Sequence, residues 1–511
     1  MLTEKSNAAP AAAAAAALRP SWRLKLPILL CTLFITLGAT YGQNALSPLK
    51  SLIMSNTYDD GVPINNARYG VISAASTLVN TILPIIAGVV VDYYGVNFAS
   101  LLCSLFVFVG NIVRAVGAQR GAFEIILAGQ IFAGVGSISL NICQNKVYTH
   151  WFKGTAARGP GIIGFITGLD YTMNRTFSII ALESAVPIYH ASGKWYLAFW
   201  VSAIFGGTCL ILNIIYVFLE MCADPRLRIP TGHALNHVWG SPLTRLRTHG
   251  RRIVANIVLL PASFWLLAIL QILQSGVVAA YKANLTDVVR VTRLTTLHQA
   301  SWTSGLDQIV AIVLTPVVGL LFDFFGRRSY YVSWTAALYI LTFALLGFTK
   351  VHELAPIIIG SLAYTINAIP FGASIPLLVR LQEQIGTAYG LWQAFDASGE
   401  TIMNIAAGAI QDYSADKGAH LYDNMFYLLM ALKAVEFFVG FTYHILDRRY
   451  FGSVMTMTEK QRVKAEENET EEERTQGLRV PRQFWTILGC TMITAMIITS
   501  YVVFIYYSVA H

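Results

Sequence analysis

Several charged side chains stand inside apolar stretches that are long enough to cross a lipid bilayer, and six of them are considered as candidates for chemistry. They are Asp170, Arg175, Asp307, Asp396, Glu400 and Lys433. An ionisable side chain at mid-membrane costs about 2.5 to 3.5 kcal/mol on the insertion scale, so each of these is a functional candidate. Their types and spacing indicate what these charges could bind.

Arg175 is suited to binding an anion, because a guanidinium stays charged and matches a carboxylate with two parallel hydrogen bonds. The alternative is an ion pair that only packs two helices together. Asp170 precedes it by five residues, which turns the two side chains about 140° apart on a helix of 3.6 residues per turn. They therefore need not pair with each other.

Asp396 and Glu400 stand four residues apart, with Asn404 a further turn along, so all three share one helix face. Two carboxylates on one face repel, and one of them keeps a proton near neutral pH unless a cation lies beside them. Lys433 and Glu436 could supply that cation or neutralise each other. The pattern fits either a proton- or cation-linked coupling site or a closed ion network. Asp307 is a lone acid that could serve either purpose.

The composition identifies the elements that position these residues. Of the 511 residues, 55% are hydrophobic and only 13% are charged, against about 25% charged in soluble domains. This excludes a soluble enzyme, a secreted disulfide scaffold and a disordered protein. The apolar runs do not alternate as β-barrel strands do, so they indicate an all-α polytopic membrane protein.

Twelve spans form a core, and a thirteenth follows a charged segment. We expect them at about 25–45, 68–91, 96–117, 122–149, 160–183, 194–221, 253–282, 295–322, 329–349, 353–379, 387–411, 423–446 and 484–508. The resulting domains are a disordered N-terminus (1–24), a six-helix half (25–221), a basic linker (222–252), a second six-helix half (253–446), a charged linker (447–482) and an extra transmembrane helix (483–511).

The linker 222–252 holds six arginines, and cytosolic loops carry excess Lys and Arg. This predicts that the linker and both ends of the twelve-span core face the cytosol. The sequon at Asn284 then lies in a loop on the opposite side, where it is a glycosylation acceptor. The thirteenth span would place His511 on that side as well.

A short repeat closes the second span of each half. Residues 88–95 and 319–326 share a Gly-x-x-x-Asp-x-x-Gly pattern, formed by Gly88, Asp92 and Gly95 and by Gly319, Asp323 and Gly326. The first Gly permits close helix packing, the Asp can meet a cation or a helix N-terminus, and the second Gly permits a tight reversal. The second copy continues with Arg327 and Arg328, whereas the first continues with Val96-Asn97.

This repeat resembles the loop signature of the major facilitator superfamily. The resemblance covers about residues 25–446 and implies two six-span halves joined by a conformational latch at Asp92 and Asp323. Two further stretches resemble the major-facilitator-domain-containing lysosomal dipeptide transporters: Gln144-Asn145 with Trp151–Gly154, and Gly386–Gly390. The chain departs from that pattern at Ile138, where the family has a carboxylate. Arg175 corresponds to the family arginine only with an insertion before it.

The superfamily plan lines a central cavity with spans one, four, seven and ten. It thereby adds uncharged candidates for substrate contact to Arg175 and Asp170. These candidates are Gln43, Asn44, Asn141, Gln144, Asn145, Gln271, Gln274, Tyr364 and Asn367. Hydrogen bonding between helices, without any ligand, explains each of them equally well.

The resemblance implies secondary active or facilitative transport of a small organic solute by alternating access, with a dipeptide or amino-acid-like substrate first. Asp396 and Glu400, and not the resemblance, make protons a candidate coupling ion. A sugar or organic-anion transporter, and a non-transporting receptor or scaffold, are the alternatives. It favours a vacuolar or lysosome-like membrane over the plasma membrane and leaves an accessory membrane subunit open. No catalytic, metal, cofactor or nucleic-acid site is expected, because no nucleophile–base, metal-spaced or phosphate-loop pattern occurs.

Overall fold

The chain forms a helical bundle in a computed structural model. The structure describes residues 20–46, 48–59, 62–64, 66–155, 159–225, 227–229, 257–258, 260–295, 297–379, 384–414, 420–450, 452–468 and 483–510. Thirteen spans are found within these ranges, close to the predicted positions.

The N-terminal half contains spans one to six. Span one is broken into Trp22–Phe34 and Leu37–Asn44 and is followed by a short helix, Lys50–Asn56, and a hairpin of strands β1 (Tyr58–Asp59) and β2 (Val62–Pro63). The remaining spans are Asn66–Tyr94, Val96–Arg120, Phe123–Phe152, Ile163–Ser192 and Leu197–Cys222.

The C-terminal half contains spans seven to twelve. They are Ala262–Arg293, Leu297–Phe325, Arg328–Phe348, Leu354–Gly372 with the short continuation Ile375–Leu378, Ile385–Tyr413 and Asp423–Tyr450. A helix at Glu459–Asn468 and span thirteen, Gln483–Ala510, complete the chain.

Ten helices in the described part are long and apolar enough to cross a membrane. Spans two, five and eleven are not among them. Spans five and eleven carry Asp170, Arg175, Asp396 and Glu400, and such polar residues face the bundle interior rather than lipid. The protein is therefore a multi-pass membrane protein.

The two halves meet along two seams. Span two packs against span eleven, and span five packs against span eight. These seams are equivalent under exchange of the halves, because spans two and five of one half correspond to spans eight and eleven of the other. The arrangement is that of an internally repeated transporter bundle.

The structure differs from the predicted loop after span seven and from the predicted charged linker, and two predicted segments lie mostly outside the described residues. The loop expected after span seven is wrong at Asn284, because the helix continues to Arg293 and the Asn284 amide donates to the Ala280 carbonyl 2.8 Å away. The predicted charged linker 447–482 contains the end of span twelve and the helix Glu459–Asn468. Most of segments 1–24 and 222–252, with five of the linker's six arginines, lies outside the described residues.

Candidate functional site

A polar cavity of about 440 Å³ lies between the two halves. Ten of the residues predicted from sequence line it: Asn141, Asn145, Asp170, Arg175, Gln271, Gln274, Tyr364, Asn367, Asp396 and Glu400. They come from spans four and five of one half and from spans seven, ten and eleven of the other. The cavity volume is within the range of small-molecule sites.

Arg175 reaches across the cavity from span five to the opposite half. Its Nη1 donates to Thr315 Oγ1 at 2.6 Å, and its guanidinium carbon is 4.1 Å from the centre of the Tyr364 ring. The side chain is 6% exposed, and no carboxylate of the described residues forms an ion pair with it. Arg175 is therefore a cation without a balancing anion in direct contact.

Lys282 is a second cation at the cavity, and the sequence analysis did not single it out. Its Nζ is 3.0 Å from the centre of the Tyr364 ring, on which Arg175 also stacks, and 3.2 Å from Asp307 Oδ2. Asp307 is buried and does not line the cavity. The available signal was helical spacing: Gln271, Ser275 and Lys282 follow one face of span seven and all line the cavity.

Asp396 and Glu400 form the acidic part of the cavity. Asp396 Oδ1 accepts a hydrogen bond of 2.6 Å from Gln271 Nε2, which also donates to Gln274 at 3.2 Å. Among the described residues, neither carboxylate has a cation within ion-pair distance. Of the two span-eleven acids, Asp396 is held by a neutral donor from span seven.

Asp170 is held by neutral donors of span four. Its Oδ1 accepts from Gln144 Nε2 at 2.7 Å and from the Tyr148 hydroxyl at 3.1 Å. Gln144 is buried behind the cavity wall and does not line it. It positions Asp170 from there.

Three further predicted residues lie away from the cavity. Gln43 Nε2 donates to Ser137 Oγ at 3.2 Å, and Asn44 Nδ2 donates to the Thr40 carbonyl at 2.8 Å. Lys433 is fully buried and pairs with Glu436 at 2.6 Å within span twelve. The structure thus brings Lys433 to Glu436 and not to the acids of span eleven.

Asp92 caps the beginning of span eleven across the seam between spans two and eleven. Its carboxylate accepts from the backbone amides of Gly386 (3.0 Å) and Thr387 (2.6 Å), and from the Thr387 hydroxyl at 2.7 Å. Lys146 of span four also contacts it in a buried ion pair. Lys146 therefore provides the cation that the first copy of the repeat lacks after Gly95.

Asp323 caps the beginning of span five across the seam between spans five and eight. Its two carboxylate oxygens accept from the backbone amides of Gly164 and Phe165, both at 2.9 Å, at the beginning of span five. A carboxylate at a helix N-terminus is stabilised by the unpaired amides and the helix dipole. Each aspartate of the repeat thus ties its own half to the other.

The first glycines of the repeat allow this contact. A Cβ atom at Gly88 would lie 2.3 Å from the Gly386 carbonyl oxygen, and one at Gly319 would lie 2.4 Å from the Gly164 carbonyl oxygen. The second glycines allow the chain to reverse, with φ of 90° at Gly95 and 62° at Gly326. The halves are consequently in backbone contact at the end that we predict to be cytosolic.

Arg327 and Arg328 join the second copy to the segment after span twelve. Arg327 has a left-handed φ of 53°, and its amide donates to the Thr456 carbonyl at 3.3 Å. The Arg328 amide donates to the Met455 carbonyl at 2.8 Å, and its side chain is 1% exposed. No cluster of metal-ligating side chains occurs within the described ranges.

The two halves meet along two seams, enclose a polar cavity and carry capping aspartates at equivalent positions. These features define a secondary-transporter fold. The family model described as Major Facilitator Superfamily matches residues 264–511. The human organic anion transporter MFSD10 (TETRAN) has the same fold, with a TM-score of 0.62 at 15% identity over 83% of this chain and 100% of that one. The proton:xylose symporter XylE gives 0.62 at 12% identity over 85% and 98%. Residues 264–511 thus match the major facilitator superfamily, and the described residues share the fold of these two transporters.

Among curated proteins, the chain is similar to lysosomal dipeptide transporters. It is 24% identical over 437 residues to the lysosomal dipeptide transporter MFSD1 of Danio rerio, which covers 83% of this chain and 87% of that protein. It is 23% identical over 407 residues to the Homo sapiens MFSD1, covering 77% and 81%. These findings confirm the predicted family and fold.

Proposed function

We propose that this protein carries a small zwitterionic solute, a dipeptide or an amino-acid-like molecule, across a membrane by alternating access. One observation carries the proposal: one cavity between the halves is lined by the cations Arg175 and Lys282 and by the acids Asp396 and Glu400, and no ion pair joins these cations to these acids among the described residues. The substrate's carboxylate would bind the cations and its amino group the acids.

The cationic part is suited to a carboxylate. Arg175 is held by Thr315 and by the face of Tyr364, which leaves guanidinium donors for a ligand. Lys282 shares its charge with Asp307, so it would act as a weaker second contact. A buried guanidinium without a paired acid gains most from an incoming anion, because desolvation strengthens charge-assisted hydrogen bonds.

The spacing of the charges suits a molecule larger than a single small ion. Gln271, which donates to Asp396, and Lys282 stand eleven residues apart on span seven, or about 16 Å along the axis at 1.5 Å per residue. Neutral side chains of Gln274, Ser275 and Asn367 line the space between. They could hydrogen bond a peptide group.

The resemblance implies a carboxylate on span four, but Ile138 stands at that position in this chain. We propose that Asp396 and Glu400 of span eleven take over the amino-group contact and link transport to protons. The similarity to lysosomal dipeptide transporters supports the substrate class and favours a lysosome-like or vacuolar membrane.

The test is counterflow in proteoliposomes that contain the purified protein. Labelled dialanine should be taken up against an internal load of unlabelled dipeptide, and xylose or an organic anion without an amine should not compete. Counterflow of labelled xylose or of a labelled amine-free anion, without dipeptide flux, would contradict the proposal and support those alternatives. Absence of flux for all three would support a non-transporting scaffold.

A further inference from the structure

The chain continues beyond span twelve in a segment that returns to the bundle. Asp447, near the end of span twelve, accepts from the Met455 amide at 3.1 Å, and its carbonyl accepts from the Ser453 amide at 2.9 Å. The turn thereby presents the Met455 and Thr456 carbonyls to the amides of Arg328 and Arg327. This fixes the segment to the loop of the C-terminal half that follows Asp323.

The helix Glu459–Asn468 begins with a reciprocal cap. The Thr458 amide donates to Gln461 Oε1 at 3.0 Å, and the Gln461 amide donates to Thr458 Oγ1 at 3.3 Å. Such a capping box fixes the first turn of a helix. The first turn is the part that contacts the bundle.

That first turn reaches the N-terminal half. Arg462 Nη2 donates to the Gly154 carbonyl at 2.5 Å, in the connection between spans four and five, and to Glu459 Oε1 at 2.8 Å. A Cβ atom at Gly154 would lie 2.5 Å from Glu459 Oε1, so the contact requires glycine there. One short segment therefore touches the spans four–five connection and the spans eight–nine connection at once.

The charge of Glu459 is part of this contact. Its side chain is 2% exposed, and burial alone would raise the pKa of its carboxyl. The hydrogen bond and charge of Arg462, together with the charge of Arg328, outweigh burial and hold the pKa of Glu459 below its usual range. Glu459 is consequently ionised at neutral pH.

Span thirteen lies across the opposite seam. It packs against spans seven and eleven and also touches span two, which belongs to the other half. A Cβ atom at Gly489 would lie 2.0 Å from the ring of the fully buried Trp265 in span seven. Span thirteen and span seven are therefore in very close contact at this glycine.

We propose that residues 452–468 and span thirteen form a C-terminal clasp that stabilises the conformation closed at the predicted cytosolic end. The first part bridges the halves beside the Asp323 seam, and the second bridges them beside the Asp92 seam. Opening of that end separates the halves and must break both contacts. Loosening either part therefore shifts the population toward the state open at that end.

The test measures the population directly, without any solute. Spin labels at Tyr94 and Phe324, exposed ends of spans two and eight, report the distance between the halves in full-length protein in which Cys222 and Cys490 are serine. We expect Glu459→Gln and Arg462→Ala to raise the ratio of long to short distances on the order of tenfold, a typical coupling between sites. Lys464→Ala, at an exposed position of the same helix, is the matched control and should leave the ratio unchanged.

Span thirteen is tested with a second pair. Gly489→Leu should shift the distances in the same direction, because its side chain would meet Trp265, whereas Thr491→Leu at an exposed position of the same span should not. Distances equal to wild type in folded Glu459→Gln, Arg462→Ala and Gly489→Leu proteins would overturn the proposal. So would equal shifts in the control variants.

The pH dependence provides a further check. Because the contact lowers the pKa of Glu459, its contribution to the closed state is complete above the ordinary value of about 4.3, which applies where the contact is broken, and is lost only as pH falls through the lower pKa of the closed state. The difference between wild type and Glu459→Gln should thus be the same at pH 7.5 and pH 5.5. A difference that disappears at pH 5.5 would contradict the assigned charge of Glu459 and, with it, this part of the clasp.

Discussion

Replacement of Asp323 by Asn tests whether the aspartates of the repeat hold the halves together. The carboxylate accepts two backbone hydrogen bonds of 2.9 Å from the beginning of span five. An asparagine keeps one acceptor oxygen, turns an NH₂ group toward an amide donor and removes the charge that the helix N-terminus stabilises. The contact lies between the two halves and not within either of them.

The expected magnitude follows from these lost interactions. A hydrogen bond to a charged group contributes about 1.5–3 kcal/mol, and a charge at a helix N-terminus about 0.3–1 kcal/mol. A loss of roughly 1.5–3 kcal/mol from the closed state alone changes the ratio of open to closed molecules about ten- to a hundredfold. The effect should appear as opening at the predicted cytosolic end.

The assay is labelling of a cysteine placed at Ser275, which lines the cavity, by a membrane-impermeant thiol reagent added from that end. The labelling rate should rise in proportion to the open population. Asp287→Asn is the matched control. Asp287 is exposed, and its ion pair with the exposed Arg290 is long, at 3.9 Å, so its loss should have little effect. A folded Asp323→Asn protein that labels at the wild-type rate would refute the latch.

Other replacements should separate structural from functional charges. Asp92→Asn should destabilise the protein by about 3–5 kcal/mol, because it leaves Lys146 buried without its partner. Thermal unfolding should show recovery in Asp92→Asn/Lys146→Met. Arg175→Ala should unfold at the wild-type temperature, because it leaves no acid unpaired, yet it should lose dipeptide flux. Arg175→Lys should bind the dipeptide more weakly because it loses the guanidinium fork. A collapse of Arg175→Ala expression would instead indicate that Arg175 has a structural partner. Asp396→Asn or Glu400→Gln should change mainly the pH dependence of uptake, and unchanged pH profiles in both would remove the coupling role from span eleven.

The seams were predictable because the repeat is local. Gly88 and Asp92 stand one helical turn apart in the sequence, as do Gly319 and Asp323. Their type alone indicates close packing followed by a carboxylate at a helix end. Which helix N-terminus each aspartate binds was not predictable, because Gly386 and Gly164 are separated from them by long stretches of chain. The same holds for Lys146, whose proximity to Asp92 depends on packing between spans two and four.

The residues of the cavity could likewise be predicted only in part from the sequence. Arg175, Asp396 and Glu400 stand out in sequence because a charge in an apolar run is costly. Lys282 did not, because it falls at the predicted end of span seven, where a lysine commonly reaches the interface; the longer helix places it against Tyr364 instead. Lys433 satisfied the same sequence criterion as Arg175, yet its neutralising partner lies one turn away on its own helix.

The central claim is that Arg175 binds the carboxylate of the solute while Asp396 and Glu400 bind its amino group. The most direct test is binding of dialanine, its C-terminal amide and its N-acetyl form to detergent-purified wild type, Arg175→Ala and Asp396→Asn/Glu400→Gln proteins by calorimetry. We predict that Arg175→Ala no longer distinguishes dialanine from the amide but still rejects the N-acetyl form, and that the span-eleven variant shows the reverse. Equal loss of affinity for all three molecules in both variants would contradict the account.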